Sequence, residues 1–474
     1  MSTRVPKAVA GLALLVATLV VTGCAQHARV MCEPLELVYR RDPAGAVAAI
    51  DRTKLAGSDR DSFLYHAQKG QLLNLAGDFA ASNREFERAV AAADALEPWS
   101  ATETLTDYTF NETVKAYAGE DYERAYVHYY MALNYLDMDD LEGALVECRR
   151  VDEVFRLLDS RYEDDGRYQD DGFIRYLSGL IYESQGRLDD ALVDYRLAVR
   201  DYEEELGGET GVAVPDDLAE SVARLDSGGV SLGRPREGRS EIVVIIDSGW
   251  APYKREESVE VPIHRALVPE ELRGRTNLAA YVKIAYPEMV SVPGVGMRFR
   301  AGAEEPAGRS ATSAPVMAEK VQDLDALAKW TLERRMPAIV LRSTLRATAK
   351  QVALAKAKHE VEEKRDSKSS ERSEADAGKE KGGLLKAVLG WLIEDLATVA
   401  VAETEQADTR SWILLPAEIW LVRIPVEPGE YEVTVQAEDG SEAISLGNVR
   451  VEEGKKAFRS ARFFGGPHPV KCRD

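Results

Sequence analysis

The stretch FIRYLSGLIYESQGRLDDALVDYRLAVRD, Phe173 to Asp201, decides how the chain is read. Its apolar residues recur at three- and four-residue intervals, which predicts two helices rather than strands. Tyr182, Leu188, Tyr195 and Ala198 fall on the facing sides, and Gly179 and Ala191 are small enough to let two backbones approach. Gly186 stands where the first helix ends, since a left-handed cap suits glycine. The same ordered set of small and large residues occurs twice upstream. Around Ala132 it is Tyr135, Leu141, Ala144, Cys148 and Val151, and around Gly70 it is Leu73, Gly77, Phe79, Ser82, Phe86 and Ala89.

Helix hairpins with this pattern resemble tetratricopeptide repeats, here over residues 61–205. Glu33 to Leu55 fits a degenerate hairpin capping the array, within a tether region of 24–60. The period is broken, because Ser82 and Ala144 are 62 residues apart and Ala144 and Ala191 are 47 apart, against ~34 in a regular array. Two insertions follow, one about Ala93 to Glu120 and an acidic one near Arg161 to Asp171. Asp164, Asp165, Asp170 and Asp171 do not match a twelve-residue calcium loop, and a solvated acidic loop is the better reading.

In that repeat family the first helix of each hairpin lines a groove for a protein partner. The resemblance implies groove contacts from Leu64, Ala67, Gln71 and Asn74, then Tyr126, Tyr129, Leu133 and Leu136, then Phe173, Tyr176, Leu180 and Glu183. Thirteen of the nineteen tyrosines lie between Tyr108 and Tyr202, and rings with polar tips suit peptide recognition. The alternative at this point is that these tyrosines pack against the inserts, the N-terminal segment or the second half of the same chain.

Residues 206–238 read as a Gly/Ser-rich linker with one short helix from Pro215 to Leu225, after which the period changes. EIVVII, Glu241 to Ile246, predicts a buried strand. Further strands are predicted at 258–262, 277–286, 296–300, 412–415, 419–424 and 456–464, and 431–436 with 443–451 flanks the hairpin turn Glu438-Asp439-Gly440. Helical period occupies 317–402, with Pro337 expected to kink or break it. Within that insertion, residues 358–383 are almost wholly polar, cannot bury a core and are expected to be disordered or a frayed helix end. Leu384 to Val401 is apolar but carries Lys386, Glu394 and Asp395, so a buried helix is favoured over a membrane contact. The fold class expected is α+β: an N-terminal α-solenoid, then a mostly antiparallel β domain (239–474) with a helical insertion.

Arg4 and Lys7, the apolar run Ala8 to Val21 and Val21-Thr22-Gly23-Cys24 form a secretory signal over 1–23. Val-Thr-Gly-Cys resembles the bacterial lipobox, which implies an acylated Cys24 as the mature N-terminus and a palmitate-type lipid anchor in the membrane. Ala25 rather than aspartate after it resembles lipoproteins of the outer membrane facing the periplasm. Of the other cysteines, Cys148 occupies a helix seam and reads as an inert buried thiol. For Cys32 and Cys472, a disulfide and two unpaired terminal thiols stand level.

A formal charge of -21 argues against nucleic acid and against docking on anionic lipid by charge. The six histidines show no metal spacing, and no nucleophile elbow or P-loop is present, so neither catalytic residues nor cofactor nor metal is expected. Three phrases, ERAYVHYYMALNYL with EGALVECRRVDE (Glu123 to Glu153), DGFIRYLSGLIYE (Asp171 to Glu183) and ADTRSWILLPAEI (Ala407 to Ile419), resemble a group of largely uncharacterised bacterial envelope lipoproteins. The resemblance implies an anchored, repeat-containing protein, with relatives encoded beside lipoproteins similar to activators of penicillin-binding proteins. The charged stretch 359–383 departs from the compact Gly/Ala-rich connection of that group. The expected function is a non-enzymatic adaptor binding an envelope protein through its groove, in cell-wall synthesis or outer-membrane assembly. The alternative is a structural lipoprotein whose groove is filled by its own β domain.

Overall fold

The computed structural model describes residues 29–96, 115–159, 171–206, 210–226, 240–262, 281–292, 296–305, 315–372 and 406–465. Cys24, Cys472, most of the acidic insert and Leu384 to Val401 lie outside them. The fold is α+β, with helices followed by largely antiparallel sheets.

Helices α1 (Cys32–Tyr39) and α2 (Pro43–Ile50) form a short leading hairpin. Asp42 caps α2 by accepting from the Gly45 N–H at 2.8 Å, with Pro43 at the first position where its missing N–H is harmless. Three longer hairpins follow: α3 (Ser62–Leu75) with α4 (Phe79–Asp94), α5 (Asp121–Asp137) with α6 (Leu141–Asp159), and α7 (Gly172–Ser184) with α8 (Leu188–Asp201). The small residues are required by close approach, since a Cβ on Gly179 would stand 2.4 Å from the Tyr195 ring and one on Gly70 2.8 Å from Phe86. The hairpins share one internal register. His66 meets Glu85, His128 meets Glu147 and Arg175 meets Asp194, each pair nineteen residues apart. Helix α9 (Asp216–Asp226) packs on α8.

The second half contributes β1 (Glu241–Ser248), β2 (Tyr253–Pro262), β3 (Tyr281–Val290), β4 (Phe299–Glu304), β5 (Val316–Met317), β6 (Glu319–Asp323), α10 (Leu324–Arg372), β7 (Glu418–Pro425), β8 (Gly429–Ala437), β9 (Ala443–Val451) and β10 (Lys456–Phe463). One sheet runs β10-β1-β7-β6, a second runs β5-β4-β8-β9, and β2 with β3 forms a hairpin against α10. Within the first sheet β1 is antiparallel to β7 and parallel to β10.

The layers are helices, first sheet, second sheet. Val243 and Ile245 of β1 join the core with the helices, whereas Ile242, Val244 and Ile246 pack on the second sheet. Both faces of β1 are thus covered, which is why its sequence is a continuous apolar run instead of an alternation.

Four expectations are corrected. Trp412 to Leu415 is not a strand but a buried irregular segment with turns, its Trp412 N–H and Leu414 carbonyl engaged by helix side chains. Val316–Met317 and Glu319–Asp323 are strands, and the helix begins only at Leu324. Pro337 does not break α10, which holds the proline inside it and continues to Arg372, so 358–372 is helix where disorder was expected. Pro337 is exposed, so water can satisfy the carbonyl that the ring leaves without a donor. Among the described residues no helix is long and apolar enough to cross a membrane.

Candidate functional site

Alternation along three strands puts Glu241, Val243, Ile245 and Asp247, then Ile419, Leu421 and Arg423, then Lys456, Phe458 and Arg462 on the face toward the helices. The middle of that face is apolar and its two ends are charged. Each charged end is met by the first helices of the hairpins, where the groove residues were placed.

At one end Tyr129 and Tyr130 donate to the two carboxylate oxygens of Asp247 at 2.8 and 2.6 Å. Gln71 donates to the Tyr130 hydroxyl and to the Leu414 carbonyl, both at 2.7 Å. Arg462, opposite Asp247 in the sheet register, donates to the same carbonyl at 3.2 Å and covers the Phe464 ring. Burial raises the Asp247 carboxyl above its ordinary range, and Arg462 and the two hydroxyls oppose the rise. Burial and the Asp247 charge hold both tyrosines well above 10, so they stay protonated donors.

At the other end Arg423 grips Glu241 with two nitrogens at 2.8 to 3.0 Å and donates to Ser221 of α9 at 2.6 Å and to the Tyr176 hydroxyl at 3.4 Å. Lys456 bonds Glu241 at 2.5 Å and lies 3.4 Å from Glu183, which also takes Tyr195 and Arg224. Burial alone would raise the Glu183 carboxyl, but Lys456 and Arg224 overrule it and bring the value to about 2. Burial lowers Lys456, against the pull of Glu183 and Glu241.

Between α3 and α5 runs the segment 407–415. Arg410 bonds Asp61 and Asp408, the Trp412 N–H donates to Glu123 at 2.7 Å, and the Trp412 ring lies 5.8 Å from Phe86 and 5.7 Å from Tyr130. Arg410 reaches Arg60 and Asp61 beside the start of α3 while Leu414 reaches Gln71, so the strap follows the helix axis. Polar atoms of Gln68, Ser411 and Trp412 are buried there without a partner. Lys254 and Arg335 pair with Glu120 beside it.

The groove predicted from the first helices is therefore not open. Leu64, Ala67, Gln71, Tyr126, Tyr129, Leu133, Leu136, Phe173, Tyr176, Leu180 and Glu183 are all buried, and Asn74 is half-buried with Asn134 at 2.7 Å. What covers them is the chain's own strap and first sheet. Tyr126 turns to Asp171, which caps α7 and takes Gln322 of β6. Asp247, Glu241, Arg423, Lys456, Arg462 and Trp412 were missed by the sequence reading. The available signal was Arg423, a charge at an inward position of the alternation EIWLVRIP. Cys32 is disulfide-bonded, and its candidate partner Cys472 lies outside the described residues. Cys148 is a free buried thiol, pushed up to about 12 by burial.

No protein-family model matches the chain. No curated protein matches it either. Among solved structures the chain is similar to the crystal structure of MamA protein, at 13% identity and a TM-score of 0.25, over 44% of this chain and 94% of that one.

Proposed function

We propose that the chain is a non-enzymatic, lipid-anchored envelope scaffold whose tetratricopeptide-like array is closed on its own sheet, leaving its outward faces for contacts with envelope proteins. One observation supports this reading most. Every groove position but Asn74 is buried, and four polar ones meet residues from the far half of the same chain: Gln71 the Leu414 carbonyl, Tyr129 Asp247, Tyr176 Arg423 and Glu183 Lys456. An apolar centre bracketed by two charged ends favours one docking pose, because slipping the sheet would leave buried charges unpaired. Acylation at Cys24 and a periplasm-facing outer-membrane location complete the proposal.

The test separates closure from an available groove. Residues 25–205 expressed alone should aggregate or bind a hydrophobic dye, and residues 206–474 supplied in trans should rescue them. In cells, crosslinking with intact protein should capture the same partners from wild type and from folded Tyr129→Ala/Tyr176→Ala. A soluble, monomeric helical half, or a partner lost only in that double variant, would return the groove to partner binding.

A further inference from the structure

Helix α10 has two apolar faces. Val340 and Ala347 pack on Val282 and Ile284 of β3. On another side, at helical spacing, stand Ala338, Leu341, Leu345, Thr348 and Val352, with the threonine as the one polar member. Leu341 is 59% exposed, the most of any large apolar side chain among the described residues.

Leu384 to Val401, which lies outside the described residues, carries a matching stripe. Leu385, Leu389, Leu392, Leu396 and Val399 recur at steps of four, three, four and three, and Glu394 falls on the opposite side of such a helix. The steps along α10 are three, four, three and four. Run in opposite directions, the two stripes therefore register without a gap: Ala338 with Val399, Leu341 with Leu396, Leu345 with Leu392, Thr348 with Leu389 and Val352 with Leu385.

The chain lengths at both ends suit that direction. Past Val352, α10 runs 20 residues to Arg372, which is ~30 Å of helix, and the thirteen steps from Arg372 to Leu385 can span ~43 Å when extended. At the other end Val399 is eight residues before Ala407, whose N–H donates to Glu256 of β2. Glu256 stands two residues from Lys254, which shares Glu120 with Arg335 of α10, and Arg335 is three residues before Ala338. The chain thus leaves beyond one end of the stripe and returns beside the other.

We propose that Leu384 to Val401 docks as an antiparallel helix on this face of α10. A segment tethered at both ends gives up no translational freedom on docking. Its Lys386 and Glu394 stay off the apolar seam, whereas a bilayer would have to bury them. The packing is independent of the closed groove.

The experiment uses the intact protein carrying Leu345→Cys and Leu392→Cys, treated with a short bismaleimide. Limited trypsin then cuts the Lys- and Arg-rich stretch 356–381 between the two sites, and denaturing electrophoresis reads whether the flanking pieces stay joined. They should stay joined roughly tenfold more than in Leu345→Cys/Glu394→Cys, whose second cysteine is on the far side of the segment. Circular dichroism melts show that each variant is folded. Equal joining in the two pairs, no joining in folded Leu345→Cys/Leu392→Cys, or joining only between two copies would overturn the proposal. Joining that disappears when vesicles of phosphatidylethanolamine and phosphatidylglycerol are added would overturn it too, by giving the segment to the membrane.

Discussion

Trp412→Ala tests whether the strap holds the two halves together. Trp412 is 1% exposed and sits between Phe86 and Tyr130. A buried aromatic removes ~150–250 Å² from water, and at ~25 cal/mol per Å² that is ~4–6 kcal/mol of transfer free energy. Its indole nitrogen is buried without a partner, so truncation also relieves a desolvation cost of about 1 kcal/mol or more. The expected net loss is ~3 kcal/mol, at the low end for Trp→Ala. Equilibrium urea unfolding followed by far-ultraviolet circular dichroism reads it as a lower midpoint at unchanged slope. Trp412→Phe keeps most of the packing and surrenders no hydrogen bond, so its cost should stay under ~1.5 kcal/mol. Two results would refute the reasoning: an alanine variant within ~1 kcal/mol of wild type, or a phenylalanine variant as damaged as the alanine one.

Three further outcomes are expected. Glu183 is depressed to about 2 from 4.5, so its ionised form stabilises the fold above pH 4.5 and the contribution, up to ~3 kcal/mol, is lost as pH falls toward 2. Thermal melts of wild type and Glu183→Gln should therefore differ most at neutral pH and converge near pH 2. Burial raises Asp194 to about 6 from 3.8, against the pull of Arg175; stability from its protonation is full below pH 3.8 and lost as pH rises through about 6. Asp194→Asn should accordingly gain ~1–2 kcal/mol at pH 7 and almost nothing at pH 4, and a neutral variant at pH 7 would count against the raised value. Glu241→Gln removes the carboxylate that Arg423 and Lys456 share and should cost ~3–5 kcal/mol by urea unfolding. Adding Arg423→Met to it should cost less than the sum of the two single changes, and simple additivity would mean that the bidentate pair is not coupled.

What could be read from the sequence was whatever repeats locally. The hairpins were legible because Gly70 and Gly179 sit under Phe86 and Tyr195 at constant offsets, and β1 because a strand covered on both faces has no polar side to interrupt it. WILL at 412–415 has the composition of a strand, and periodicity over four residues cannot tell a ladder from a strap whose backbone polar groups bond to helix side chains. The two charged ends were illegible for a different reason. Tyr129 and Asp247 are 118 residues apart, and Glu183 and Lys456 meet only because β10 lies parallel to β1. The first helices carry the contacts to the far half, Tyr129 and Tyr130 to Asp247, Tyr176 to Arg423 and Glu183 to Lys456. A groove lined with tyrosines and buried charges is costly to leave in water-poor isolation, so supplying Asp247, Arg423 and Lys456 from the same chain satisfies them at no loss of translational freedom. That is the physical reason why the closed arrangement competes well with any external segment. A partner entering this groove would have to replace the bidentate Arg423–Glu241 contact and both tyrosine bonds to Asp247, whereas a partner on the outer helices would leave those contacts in place.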